Sequence, residues 1–299
     1  MRIANVGDRL TIVTEAGGID VERASAKRFS ADPAAVYPRW PEFHDWARAL
    51  LDGGAGAGGA AGSVAVPLDE SALRAPSPRP AQVFGIGLNY GAHAVEAGYD
   101  VPEVPVTFTK FPTCITGPHT DLPIPGDSVD WEVELVAVIA VRAESVPVED
   151  AWRYVAGLTV GQDYSERRVQ TLGQTPQFSL GKSFPGFGPT GPWLVTVDEF
   201  DDPDDLALEC LVNGELMQAG RTRDMILPVP GLISRLSTVC PLLPGDLIFT
   251  GTPDGVGSGR TPPVFLRPGD DVVSRIAGIG ELRQRCVALE PALALGSEV

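Results

Sequence analysis

The stretch that most limits what this chain can fold into is Asp130-Trp131-Glu132-Val133-Glu134-Leu135-Val136-Ala137-Val138-Ile139-Ala140-Val141. Its second half is a continuous apolar run rich in β-branched residues, the pattern of a strand buried on both faces. Side chains two apart on a strand share a face, so Glu132 and Glu134 converge while Trp131, Val133 and Leu135 pack on the other side. Two carboxylates leading into a buried strand repel each other and resist leaving water. Either a cation sits between them or one holds a proton. The bland alternative is that the start of the strand projects into solvent and binds nothing.

The rest of the composition narrows the partners. At 299 residues the chain is long enough for one large domain or two smaller ones. With 34 Gly and 28 Pro, turns and short strands are favoured over long helices. Against 39 Asp+Glu stand 23 Lys+Arg, a net charge of −16, which argues against nucleic acid and anionic membranes as partners. An anionic substrate therefore needs local positive charge at its site. Cys114, Cys210, Cys240 and Cys286 are scattered, without a C-x-x-C pair or zinc spacing, and read as small core residues of a reduced protein. No apolar run approaches the ~18 residues of a membrane span, and Met1 to Asn5 lacks a signal-peptide core. The cytoplasm is the expected location.

Along the chain, residues 1–75 read as a small N-terminal α+β unit. Arg9–Thr14 and Ile19–Val21 form a hairpin about Ala16-Gly17-Gly18, and Trp40–Leu51 carries apolar residues at helical spacing. His44 lies beside that stripe as a surface residue. Gly53–Gly62 is a low-complexity loop without the features of a phosphate loop, and Ser71–Pro80 a Pro-rich linker. Residues 76–299 form the main unit. Strands are expected at 83–87, 130–141, 157–162 and 245–250, with hairpins turning at Asn213-Gly214 and Gly278-Ile279-Gly280. Helices are expected near 89–96, 149–155 and 229–239. Gly85 to Gly91 lacks the glycine spacing and the following βαβ unit of a dinucleotide fingerprint.

Asp163 ends a strand, where ligands commonly sit. With Glu132 and Glu134 it makes an all-oxygen donor set, which suits Mg²⁺ or Mn²⁺ over zinc. Scattered surface acids are the competing reading. His93 and Glu96 lie three apart, neighbours on one helical face, and a carboxylate there orients the imidazole as a general base; a plain surface pair would look the same. Lys182, among Leu180, Gly181 and Phe184, is either paired with an anion or an exposed loop lysine. A helix running from Asp163 would bring Arg167 and Gln170 onto its face. Thr250-Gly251-Thr252-Pro253 is a Gly-rich turn that offers backbone N–H groups and the Thr252 hydroxyl to a carboxylate, or simply turns. His119 has no partner in sequence and stays unassigned.

Five motifs in order, Asn89-Tyr90-x-x-His93-x-x-Glu96, Trp131-Glu132-Val133-Glu134-Leu135, Gln162-Asp163 through Gln170, Gly181-Lys182-Ser183-Phe184 and Thr250-Gly251-Thr252-Pro253-x-Gly255-Val256-Gly257, resemble the fumarylacetoacetate hydrolase superfamily. The resemblance covers roughly residues 81–287 and implies a mostly β, α+β fold: a mixed β-sandwich roll with a small N-terminal domain, usually dimeric. It implies Glu132, Glu134 and Asp163 as ligands of Mg²⁺ or Mn²⁺. His93 and Glu96 match a catalytic dyad on a lid, and Lys182 a catalytic position. Arg167, Gln170, Thr252 and Tyr90 match substrate-binding positions. Fumarylacetoacetase itself has an aspartate seven residues before the histidine, where this chain has Ile86, so the likeness is to the smaller acylpyruvase-type members.

The chemistry this implies is hydrolysis of a 2,4-dioxo acid to pyruvate and a carboxylic acid. Oxaloacetate-type decarboxylation and isomerisation of unsaturated 2-hydroxy/2-oxo diacids run through the same enolate. A non-catalytic keto-acid-binding homologue is the remaining alternative.

Overall fold

A computed structural model describes residues 1–53 and 65–289, so most of the Gly53–Gly62 loop lies outside the described residues. The chain opens with β1 (Arg2–Val6), β2 (Arg9–Thr14), β3 (Gly17–Asp20), a helical turn α1 (Val21–Ala24) and the helix α2 (Trp40–Leu51), followed by the short β4 (Ala65–Val66) and β5 (Leu73–Arg74). Next come β6 (Val83–Gly87), α3 (Gly91–Glu96), β7 (Val106–Thr109), β8 (Ile115–Thr116) and β9 (His119–Ile124). The centre holds β10 (Val129–Asp130), β11 (Val133–Ile139), β12 (Val155–Gln162), β13 (Ser165–Glu166), α4 (Arg167–Gln170), α5 (Phe178–Gly181) and β14 (Gly188–Val195). The last third adds β15 (Ala207–Val212), β16 (Glu215–Arg221), α6 (Val229–Val239), β17 (Leu247–Phe249), β18 (Asp271–Ile276) and β19 (Gly280–Ala288).

Twelve strands form one mixed sheet in the order β4-β3-β2-β1-β14-β12-β11-β17-β6-β7, with β5 on β1 and β8 on β14. A second sheet, β16-β15-β18-β19-β9, packs against it. The fold is the mostly β, two-sheet architecture expected. β11 lies near the middle of the large sheet, and all seven of its residues are buried. Its alternation splits the core: Val133, Leu135, Ala137 and Ile139 face the second sheet, while Val136 and Val138 face the N-terminal residues. Each such aliphatic side chain taken fully out of water contributes about 1.5–3 kcal/mol, which fixes the register of the strand.

Residues 1–75 are fused to the rest through the sheet. β1 pairs antiparallel with β14, Ile3 opposite Leu194. Phe43, Trp46 and Leu50 of α2 share one apolar cluster with Val136, Val138 and Phe249. The Met1 ammonium group donates to Thr196 Oγ1 at 2.5 Å. The first strand carries little alternation, and nothing within residues 1–75 names its partner at β14.

Two further local expectations are altered. Residues 148–154 wind as a 3₁₀ segment, held short between Pro147 and the start of β12. No helix runs from Asp163 to Gln170, because Ser165 and Glu166 pair with Asp130 and Val129. α4 starts only at Arg167, capped by the Glu166 carboxylate, which accepts from Val169 N at 2.7 Å. At Asn213-Gly214 both residues have positive φ, 52° and 80°, as a two-residue type I′ turn requires.

Candidate active site

Three adjacent strands carry the site. β11 and β12 pair with Glu134 opposite Gly161, and Asp163 N donates to Glu132 O at 2.9 Å, so both strand ends stop at one level. The carboxylates of Glu132, Glu134 and Asp163 are buried, and an oxygen of each lies within 4.8 Å of the others. β17 runs on the other side of β11 and ends in Thr250-Gly251-Thr252. Gly251 has φ +100°, and a Cβ there would stand 2.8 Å from Asn89 Cβ and 3.0 Å from Ile86 O. Only glycine fits, and its N–H therefore reaches Glu134 Oε2 at 2.8 Å.

Cations answer the repulsion, as the opening stretch requires. Lys182 Nζ sits between two of the acids, 2.5 Å from Glu132 Oε2 and 2.9 Å from Asp163 Oδ2. Arg167 reaches Glu132 Oε1 at 2.8 Å and Asp130 Oδ2 at 2.7 Å. A second lysine, Lys110, is fully buried; it contacts Asp163 Oδ1 at 2.6 Å and donates to the carbonyls of Lys182 and Phe187. Burial works against its proton, but the Asp163 charge overrides this and raises its pKa above the ordinary lysine value. Likewise burial opposes ionisation of Glu132, yet Lys182 and Arg167 hold its carboxyl down at about 2. Glu134 differs. It has no cation partner among the described residues, and burial together with the Asp163 and Glu132 charges pushes its carboxyl well above the usual range.

The donor set fits Mg²⁺ or Mn²⁺: three hard oxygens, no sulfur or imidazole among them, and one carboxylate whose sole hydrogen-bond donor among the described residues is a backbone N–H. Glu132, Glu134 and Asp163 are the residues that would hold it.

His93 and Glu96 are joined on α3, Nδ1 to Oε2 at 3.2 Å, and Glu96 Oε1 accepts from Gly255 N at 2.9 Å. A proton on Nδ1 shared with Glu96 leaves Nε2 as the basic nitrogen. Burial works against the Glu96 charge, but the His93 and Gly255 contacts lower its pKa. His93, Glu132, Glu134, Arg167, Gln170, Lys182 and Thr252 all border one cavity of about 280 Å³.

Some expected partners stand differently. Tyr90 is buried in the apolar core and is not among the residues bordering that cavity. Its hydroxyl has no partner among the described residues. The Thr252 hydroxyl is engaged at both ends, donating to Val133 O at 2.9 Å and accepting from Gln218 Nε2 at 2.8 Å, so it serves the strand end first. Gln170 accepts from Arg167 Nη1 at 3.0 Å, which leaves its amide N–H groups for another partner. Lys110 and Asp130 carried no role in the sequence reading. The signal for Lys110 was present: like Lys182, it sits beside apolar residues, in Phe108-Thr109-Lys110-Phe111-Pro112.

The fold and this buried acidic cluster, which could hold a metal ion, define a class of two-sheet β architecture with a carboxylate-lined site. The family model described as "Fumarylacetoacetate (FAA) hydrolase C-terminal" matches residues 82–287, and the chain belongs to the fumarylacetoacetate hydrolase family. Bovine oxaloacetate tautomerase FAHD2B, a mitochondrial protein, is 43% identical over 224 residues, which cover 74% of this chain and 71% of that protein. The crystal structure of a candidate HpcE protein from Mycobacterium smegmatis superposes with a TM-score of 0.89 at 49% identity, covering 97% of this chain and 100% of that one. Maleylpyruvate hydrolase from Sphingobium sp. SYK-6, solved with manganese(II) and pyruvate, superposes with a TM-score of 0.74 at 28% identity, covering 97% and 100%. Among the described residues no helix is long and apolar enough to cross a membrane.

Proposed function

We propose that this chain is a divalent-metal-dependent enzyme that hydrolyses the C–C bond of an acylpyruvate-type 2,4-dioxo acid, releasing pyruvate and a carboxylic acid. The observation that carries the reading is that His93 of the His–Glu dyad and Glu132 and Glu134 of the acidic trio border one cavity. Mg²⁺ or Mn²⁺ on Glu132, Glu134 and Asp163 would supply Lewis acidity toward the 2-oxo acid.

The chain's own residues do the rest. Lys182 and the Gln170 amide offer hydrogen bonds to the keto acid end. His93, held by Glu96, takes a proton from water as the water oxygen bonds to the distal carbonyl carbon. The C3–C4 bond then breaks and its electron pair stays on C3, giving the enolate of pyruvate. His93 returns the proton to C3. Water thus supplies OH to the acid and H to pyruvate, and the released acid ionises in solvent.

Keto–enol tautomerisation is a second reading, favoured by the relatives named oxaloacetate tautomerase. It uses the same base without an attacking water. Loss of the enol absorbance of acetylpyruvate, measured with Mg²⁺ and with excess chelator, separates the two once products are assayed. Metal-dependent formation of pyruvate and acetate supports hydrolysis, whereas enol decay without products leaves tautomerisation. Glu134→Gln is expected to abolish metal-dependent turnover, and His93→Ala to lower kcat about 10²-fold or more. A wild-type rate in either variant removes that residue from the scheme.

A further inference from the structure

We infer that Asp130, which does not itself border the cavity, positions two of the cavity's working sides at once. Its carboxylate ties the turn that seats the His93–Glu96 dyad to the guanidinium that seats Gln170. The inference rests on the reading of His93 as the base and adds a positioning residue to it.

Asp130 ends β10, is fully buried, and gathers donors from three segments of chain. Its Oδ1 accepts from Trp131 N at 2.8 Å and from Gly257 N at 2.7 Å. Its Oδ2 accepts from Ser258 N at 2.9 Å and from Arg167 Nε at 2.8 Å. A carboxylate offers about four acceptor sites, so these donors saturate it and leave nothing for a ligand. The plainer reading is that Asp130 only answers the Arg167 charge. Charge balance alone does not call for the backbone N–H groups of Gly257 and Ser258, and both are aimed at it.

The turn runs between Asp130 and α3. At its start Gly255 N donates to Glu96 Oε1 at 2.9 Å, and Gly255 O accepts from Trp131 Nε1 at 3.1 Å. Val256 follows, 1% exposed, so the segment is buried between its two anchors. A Cβ on Gly257 would overlap Val264 O and stand 2.8 Å from Asp130 Oδ1, and one on Gly259 would run into the Glu96 side chain. The backbone is thus seated directly against both carboxylates. On the other side Arg167 Nη1 donates to Gln170 Oε1 at 3.0 Å and fixes the direction of that amide. His93, Arg167 and Gln170 all border the cavity, so one buried carboxylate sets the span between the base and the amide that faces it. A base displaced by about an ångström loses up to about 10²-fold in rate.

The test reads the imidazole nitrogens of His44, His93 and His119 by NMR in isotopically labelled protein with Mg²⁺ added. In the wild type His93 is expected as a single tautomer with its proton on Nδ1. Asp130→Asn is isosteric but turns one acceptor into an amino group facing N–H donors. The His93 signals should move toward the tautomer mixture of a free imidazole, with those of His44 and His119 unmoved. Gly257→Ala pushes the turn away while leaving Asp130 on Arg167, and should give the same change at His93. With acetylpyruvate, Gly257→Ala is expected to lower kcat by about tenfold to 10²-fold at near wild-type KM. Asp130→Asn should lower kcat alike and also raise KM, because Gln170 loosens with Arg167. A wild-type spectrum without the Nδ1 proton on His93 overturns the inference, as do unchanged His93 signals in the folded variants. Loss of the fold in both variants assigns Asp130 to stability alone and overturns it too. If the wild type turns over no 2,4-dioxo acid with metal present, the hydrolase reading fails, and the imidazole signals by themselves decide the role of Asp130.

Discussion

Lys110 holds one oxygen of Asp163 and the carbonyls of Lys182 and Phe187 from a fully buried position. Replacing it with methionine strips Asp163 Oδ1 and two carbonyls of their buried donor while Lys182 still meets Asp163 Oδ2, so Lys110→Met is expected to cost about 3–5 kcal/mol of stability in chelator. Adding Mn²⁺ should recover part of that loss, because the ion restores positive charge at the same oxygens. Chemical denaturation of both proteins, with chelator and with metal, measures it. The Glu132–Glu134 pair and the dyad were legible because spacing places carboxylates two apart on a strand and a histidine three from a glutamate; Asp163 was reached as the end of a predicted strand and through the family resemblance. Lys110 was not. Its partners lie 53 and 72 residues away, a separation that no local pattern encodes.

At the scale of elements, the site depends on how α3 and the turn after β17 meet. Glu96 bridges them by accepting from Gly255 N while holding His93. Its carboxyl pKa is lowered in the folded state, burial opposing the shift and the His93 and Gly255 contacts producing it. The bridge therefore contributes fully above the ordinary carboxylate range and is lost as pH falls through the lower folded value. Amide exchange at Gly255, corrected for its intrinsic rate, should stay protected through the ordinary glutamate range and lose protection only at lower pH in the wild type. Glu96→Gln should show reduced protection at neutral pH already. Gly251→Ala is a harder break. With φ +100° and a Cβ 2.8 Å from Asn89, it should lower stability by about 1–3 kcal/mol and displace the N–H that Glu134 accepts, reducing metal affinity as read by calorimetry. α6 and the Asn213-Gly214 hairpin could be read from period and turn chemistry. The stop before α4 could not, because it comes from β10 pairing with residues more than thirty positions on.

Across the whole molecule, the N-terminal strands and the site strands belong to one sheet, β1 beside β14 and β14 beside β12. A charge placed under β1 should be felt at the site. Ile3→Asp, at a position 3% exposed, is expected to cost about 3–5 kcal/mol. Intrinsic tryptophan fluorescence and metal binding should then be lost together in one transition; separate transitions would mean that residues 1–75 melt on their own. Composition was a fair guide at this scale to fold class, since many turns suit short strands. It held no information on where the first strand docks, which is decided by complementary apolar faces brought together only in the folded chain.

The lysine between Glu132 and Asp163 and the lysine behind Asp163 also bear on order of assembly. Most of the acidic charge is met by the polypeptide itself, and the acid without a cation partner retains a proton readily. Folding therefore needs no ion at this cluster, and under the proposed function a divalent metal would load last, into finished architecture. A chelator should then switch the protein off without unravelling it, and resupply should switch it on again within the time of mixing.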